Sequence, residues 1–306
     1  MIKTSLLAGA ATLALAGIAS AADLPRRAAP PVITPVPVFT WTGFYAGLNV
    51  GYAFSDDQTI RTLGNQGPGA GPILPLQNGG AGSNTVLNVQ LARRAPLFRS
   101  EQEGITGGGQ IGYNVQLTPG SGIVFGVEAD IQYTDLDRTR TYFSPLIAQN
   151  GFVADPSRYR QSMDFFGTVR GRLGYAFDRF MIYGTGGFAY GDVAYSAQFL
   201  SNNVALGNPI AYAGRYSDLQ TGFAYGGGIE YALGADSVLN VFRASAVTMK
   251  VEYLHYDLGS RNLLVSSTNP ATGNQFVAAA NGSYTSRFRT EGNLVRVGVN
   301  YKFGSF

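Results

Sequence analysis

Cysteine is absent from all 306 residues, so no disulfide framework stabilises the chain, and zinc–thiolate sites and cysteine nucleophiles are excluded. Histidine and tryptophan occur once each, as His255 and Trp41. Charge is scarce: 13% of residues are charged and the formal net charge is +3. That balance is too small to imply a nucleic-acid partner. Beyond the N-terminal region no apolar run is long enough for a transmembrane helix. What the chain does have is 41 glycines, 18 tyrosines and 19 phenylalanines. Such a composition is poor for an ordinary soluble enzyme and usual for a β-barrel with aromatic girdles.

Met1-Ile2-Lys3, an apolar run from Leu6 to Ile18 and the small residues Ala19-Ser20-Ala21 have the three parts of a secretory signal peptide. We read residues 1–21 as that peptide, cleaved after Ala21 or Ala22, so that the mature chain leaves the cytoplasm. Residues 22–40 carry Pro25, Pro30, Pro31, Pro35 and Pro37 behind Arg26-Arg27. Proline at this density gives an extended, unpaired periplasmic tether, with peptidoglycan as its expected contact.

From residue 41 to 306 the pattern is alternation at period two, which puts apolar side chains on one face of a strand and polar ones on the other. The last strand, 293–303, sets Val295, Val297, Val299, Tyr301 and Phe303 against Arg296, Gly298, Asn300 and Lys302. The first, from Trp41 to Phe54, sets Phe44, Leu48, Val50 and Tyr52 against Tyr45, Gly47, Asn49 and Gly51. Trp41 then sits at the periplasmic end, where an amphipathic ring anchors at the interface. Further strands are expected at 104–116, 123–135, 162–177, 180–193, 219–233 and 246–258, the seventh with Val247, Met249, Val251 and Tyr253 outward. The connections alternate. Short ones fall at 118–122 and 178–179; long ones fall at 55–102, 136–161, 195–217 and 259–290, with a hairpin extension proposed at 81–91. Gly234 to Ser245 is longer than the other short connections, and the pattern does not explain it. Eight strands with short and long connections in alternation describe an all-β, antiparallel, up-and-down transmembrane barrel.

The polar face carries charge. Glu128 and Asp130 lie on the third strand, Arg170 and Arg172 on the fourth, Glu230 on the sixth, Lys250 and Glu252 on the seventh, and Arg296 on the eighth. Unpaired charge away from water is very costly, so these residues are expected to pair within the lumen. Eight strands leave an interior about filled by side chains, and a paired network there acts as a plug. If the charges separate, a narrow pore for ions and small solutes results.

Trp41-Thr42-Gly43-Phe44-Tyr45-Ala46-Gly47-Leu48-Asn49-Val50-Gly51-Tyr52 resembles the opening strand of the α-proteobacterial outer-membrane β-barrel proteins, small barrels of the porin-family or surface-antigen type. Lys250 to Gly259 resembles the seventh strand of that family, and Arg296 to Phe303 its closing strand. The resemblance implies the outer membrane as location, with its lipid and lipopolysaccharide as partners. It also implies an insertion signal for the barrel-assembly machinery in Arg296, Gly298, Tyr301 and Phe303, with Phe306 as an alternative terminal aromatic. By family analogy alone, a surface ligand such as haem is a further expectation, with His255 the first residue to substitute.

No catalytic constellation stands out. His255 has Asp257 rather than serine two residues on, and no Gly-x-Ser-x-Gly elbow appears. No cofactor is expected. Arg93, Arg94, Arg99, Arg287 and Arg289 are candidates for lipopolysaccharide phosphate contact. The expected function is a non-enzymatic, structural and surface role in the envelope, with the narrow porin as alternative.

Overall fold

Alternation sorts each strand into two faces, and pairing closes those faces into a ring. The computed structural model describes residues 38–55, 58–65, 97–143, 156–200, 210–234, 237–268 and 283–304. Among them are ten strands: β1 (Gly43–Phe54), β2 (Gln58–Asn65), β3 (Leu97–Ser100), β4 (Glu103–Gln116), β5 (Ser121–Tyr142), β6 (Ser157–Phe177), β7 (Phe180–Leu200), β8 (Ile210–Leu233), β9 (Ala246–Ser267) and β10 (Ser283–Phe303). All pairings are antiparallel, in the order β1-β4-β5-β6-β7-β8-β9-β10, and β10 pairs back onto β1 through Leu48↔Val299 and Val50↔Val297. Closure leaves no edge within this eight-strand ring, as lipid surroundings require. β2 and β3 continue the lines of β1 and β4. β2 takes over from β1 as the partner of β10, at Arg61↔Arg287, and pairs with β3 at Gln58↔Ser100.

Outward side chains are apolar and open to the surroundings: Leu48, Val50, Ile105, Ile111, Phe125, Val127, Val169 and Leu173 are all exposed. Their inward neighbours Asn49, Gln110, Glu128, Asp130, Arg170 and Arg172 are buried. A soluble sandwich has the opposite arrangement. The connections at Leu117–Gly120 and Asp178–Arg179 are short and lie at the end where β1 starts and β10 stops, which makes that end periplasmic.

The strands run further than their alternation suggests. β5, β6, β7, β8, β9 and β10 continue well into the stretches expected as long loops at 136–161, 195–217 and 259–290. Register breaks mark where the pattern was lost. They fall between Tyr133 and Leu136 on β5, Met163 and Phe165 on β6, Arg289 and Glu291 on β10, and Ala213 and Phe223 on β8. At the β1–β2 and β3–β4 joints, the Ser55 amide donates to the Gln102 carbonyl at 2.8 Å. A bulge re-aims the chain that follows it. On β6, Phe166 and Thr168 are buried before the break, whereas Met163, Gln161 and Tyr159 are buried after it. The expected hairpin at 81–91 lies outside the described residues.

Trp41 is not an interfacial anchor. It shares odd parity with Tyr45 and Asn49, so it points into the barrel, where it is 2% exposed. Val247 also differs from expectation: it is buried rather than facing lipid.

Candidate functional site in the lumen

The interior has three layers. The lowest closes the periplasmic mouth. Trp41 packs with Val124, Ala176, Met181, Tyr183 and Ala232, and Phe39 meets its ring edge-on at 5.3 Å. The indole Nε1 donates to the Asp178 carbonyl at 2.9 Å, while the Trp41 amide donates to Gln116 Oε1 at 2.8 Å.

The middle layer brings together all eight charges expected in the lumen. Three oppositely charged pairs are direct cross-strand partners: Glu128↔Arg170, Glu230↔Lys250 and Glu252↔Arg296. The Arg170 guanidinium reaches Glu128 at 2.7 Å, Asp130 at 2.9 Å and Glu252 at 3.3 Å. Arg172 reaches Glu230 at 2.7 Å, and Lys250 Nζ lies 2.9 Å from Glu128. Arg296 Nε donates to Glu252 at 2.7 Å, and its Nη1 lies 3.2 Å from Asp130 on the far wall. The side chains of Glu128, Asp130, Arg170, Lys250, Glu252 and Arg296 have no solvent-exposed area. Four acids face four bases, so the layer is neutral as a whole.

Two tyrosines complete it, neither expected in the network from the alternation. Tyr45 Oη donates to Glu128 at 2.8 Å and accepts from Arg172 at 2.7 Å. Tyr183 Oη donates to Glu252 at 2.9 Å, and the Arg172 guanidinium stacks 3.9 Å from the centre of its ring. Each phenol lies over a glycine of the neighbouring strand to reach the acid on the strand beyond it. A Cβ on Gly112 would come within 2.3 Å of Tyr45 Oη, and one on Gly228 within 2.8 Å of Tyr183 Oη. An inward tyrosine cross-strand from an inward glycine is the signal that could have found them.

The upper layer is apolar and aromatic. Phe98 stacks on Tyr159 at 5.5 Å, and Phe288 on Tyr195 at 4.8 Å. Tyr284 meets Phe199 at 4.9 Å and Tyr212 at 5.1 Å, both edge-on. With Leu254, Leu263, Val265 and Leu294 these rings form one buried cluster. Burial pushes the Tyr195 hydroxyl up to about 12. Outside this layer the wall is polar, as in the Arg160–Asp137 pair at 2.6 Å.

The remaining candidates scatter. His255 Nδ1 lies 3.0 Å from Asn293 Oδ1 and its ring packs on Tyr225. Among the described residues no group of three His, Asp or Glu side chains could hold a metal ion. Within the proposed insertion signal, Arg296 belongs to the lumen network and Phe303 lies on the outer face against Phe44; Phe306 lies outside the described residues, as do Arg93 and Arg94. Arg289 is held by Asp257 and Glu291, each at 2.7 Å, and Arg287 donates to Ser260 at 2.8 Å.

An apolar outer belt around a charged but neutral inner layer is the design of a membrane-spanning strand barrel, and the family comparison agrees: residues 9–303 match the description "Outer membrane protein beta-barrel domain". The chain belongs to this outer-membrane β-barrel family. A 31 kDa outer-membrane immunogenic protein of Brucella melitensis is 30% identical over 304 residues, covering 99% of this chain and 100% of that one. A 22 kDa outer membrane protein of Rhizobium leguminosarum is 26% identical over 208 residues, covering 67% of this chain and 71% of that one. Among solved structures, the outer membrane protein OprG of Pseudomonas aeruginosa aligns over 86% of this chain and 97% of its own, with 14% identity and a TM-score of 0.41. The family places this barrel in the outer membrane, in line with its resemblance to α-proteobacterial surface barrels.

Proposed function

We propose that this outer-membrane barrel is a closed, non-enzymatic envelope protein that braces the membrane and carries its upper strands above the surface. The observation that supports this reading is the middle lumen layer, in which Arg170 and Arg296 each bridge acids on more than one strand with no exposed side-chain area. Ion pairs of this kind tie opposite walls together across the lumen. The aromatic layer above and the Trp41 layer below stop the lumen twice more. The word "immunogenic" in the Brucella relative's name favours a surface-presented part. Contact with lipopolysaccharide phosphates fits Arg61 and Arg287, two outward cations that face each other across β2 and β10.

Planar-bilayer conductance tests the reading. Purified protein is expected to give a silent baseline. Reproducible open channels whose ion selectivity shifts when Arg170 and Arg172 are replaced would overturn it in favour of a narrow porin.

A further inference from the structure

The long periplasmic connection between β8 and β9 has a built structure. Asn240 holds it closed: its Nδ2 donates to the Ala244 carbonyl at 2.9 Å, and its Oδ1 accepts from the Ala244 amide at 2.8 Å. One turn leads into that clamp, from the Asn240 amide to Ser237 O at 2.9 Å, and a second lies within it, from the Arg243 amide to Asn240 O at 3.2 Å. The segment is then fastened to β10. The Ser245 hydroxyl donates to Lys302 O at 2.7 Å, Tyr301 Oη donates to Leu239 O at 3.0 Å, and Phe242 meets the Tyr301 ring edge-on at 4.9 Å.

Such a fastened segment would ordinarily turn its apolar side chains toward the wall. Here Val238 is 95% exposed, Val241 74% and Phe242 70%. Between Leu239 and the barrel wall lies a groove of about 600 Å³, whose lining includes Leu239, Leu48, Val50, Met249, Val251 and Val299. That volume is within the range of ligand-holding clefts. The groove is continuous with the lipid-facing belt of β1, β8, β9 and β10, and Arg243, four residues on from Leu239, is exposed.

We propose that residues 237–245 form an interfacial clasp that holds one phospholipid of the periplasmic leaflet against the barrel wall. An acyl chain lies in the groove under Leu239, Phe242 and Val241 enter the leaflet beside it, and Arg243 meets the lipid phosphate. Continuity with the membrane belt favours a lipid over a periplasmic protein, because a protein partner would have to displace the bilayer from half of the groove. An exposed cation four residues from an apolar slot suits a phospholipid, with its anionic head and apolar tail. The unusual length of this connection then has a purpose.

Native mass spectrometry of the full-length barrel, released from phosphatidylethanolamine bilayers into mild detergent, reads retained lipid directly. One phosphatidylethanolamine per barrel is expected. Val241→Ser with Phe242→Ser should reduce its retention by about tenfold, the loss of part of two apolar burials. Leu173→Ser, which removes an exposed apolar side chain from β6, should leave retention unchanged. Equal retention in all three proteins, or equal loss in both variants, overturns the clasp. A second measurement uses Phe242→Trp in bilayers with brominated acyl chains, Trp41 being enclosed and serving as the constant background. Strong quenching near the head-group end supports the proposal. An unquenched indole overturns it and points to a protein partner.

Discussion

The lumen's middle and upper layers are built from the same strands and obey opposite rules. In the membrane belt the outward face is apolar, so the inward face takes charge, and Glu128, Asp130, Arg170, Glu252 and Arg296 tie the walls together. Above the register breaks the outward face carries Asp137, Arg158 and Arg160, and the interior becomes a soluble-type core of Tyr159, Phe199, Tyr284 and Phe288. Which face is apolar follows the surroundings rather than the strand. The bulges sit where the surroundings change, because re-aiming side chains there costs the least pairing. The two cores should also fail differently. Charge pairs are specific and leave a stranded partner when broken, whereas aromatic packing loses contact area in small steps.

The comparison breaks most sharply at Arg170. Arg170→Ala strands Glu128, Asp130 and Glu252 in a dry lumen, and is expected to cost about 3–5 kcal/mol of barrel stability. Guanidinium unfolding in lipid vesicles checks this, and a shift under a third of that size would mean that water already reaches the layer. Phe288→Ala removes the ring shared by Tyr159 and Tyr195 and is expected to cost about 3 kcal/mol, confined to the upper barrel. Protease nicking near the strand tips should rise while the membrane-embedded part keeps its heat-modifiable mobility on gels. Global unfolding instead would show that the two cores form one cooperative unit. Tyr45→Phe keeps the ring and deletes the hydroxyl between Glu128 and Arg172, an expected loss of about 2 kcal/mol in the same unfolding experiment.

The membrane-embedded half of each strand was legible because lipid on one side and a polar lumen on the other enforce strict alternation. The cross-strand pairs Glu128↔Arg170 and Glu252↔Arg296 follow from strand adjacency and parity alone. The reach of Arg296 to Asp130 does not, since it depends on how the ring's register brings β10 opposite β5. The upper strands were lost at the bulges: on β6 the inward set changes from Phe166 and Thr168 to Met163 and Tyr159, so no single period fits the stretch. Trp41 was misplaced for another reason. Its chemistry suits an interface, but its parity with Tyr45 decides its direction, and parity was the stronger information.

The smallest effect tests the outer wall of the upper barrel, where water rather than lipid surrounds the charges. Asp137 and Arg160 make a two-pronged contact with Arg160 Nε at 2.9 Å and Nη2 at 2.6 Å. The hydrogen bonds from Arg160 hold the Asp137 carboxyl below its ordinary value. Both side chains are about half exposed, at 53% and 43%, so the pair is expected to contribute less than about 1 kcal/mol. A carboxyl held low contributes fully above its unfolded value of about 4 and loses that contribution as pH falls further. Asp137→Asn should therefore raise proteolysis of the upper barrel slightly at pH 7 and leave it unchanged at the acid end. Equal proteolysis of the variant and the parent at pH 7 would show that this exposed pair contributes nothing to the upper barrel.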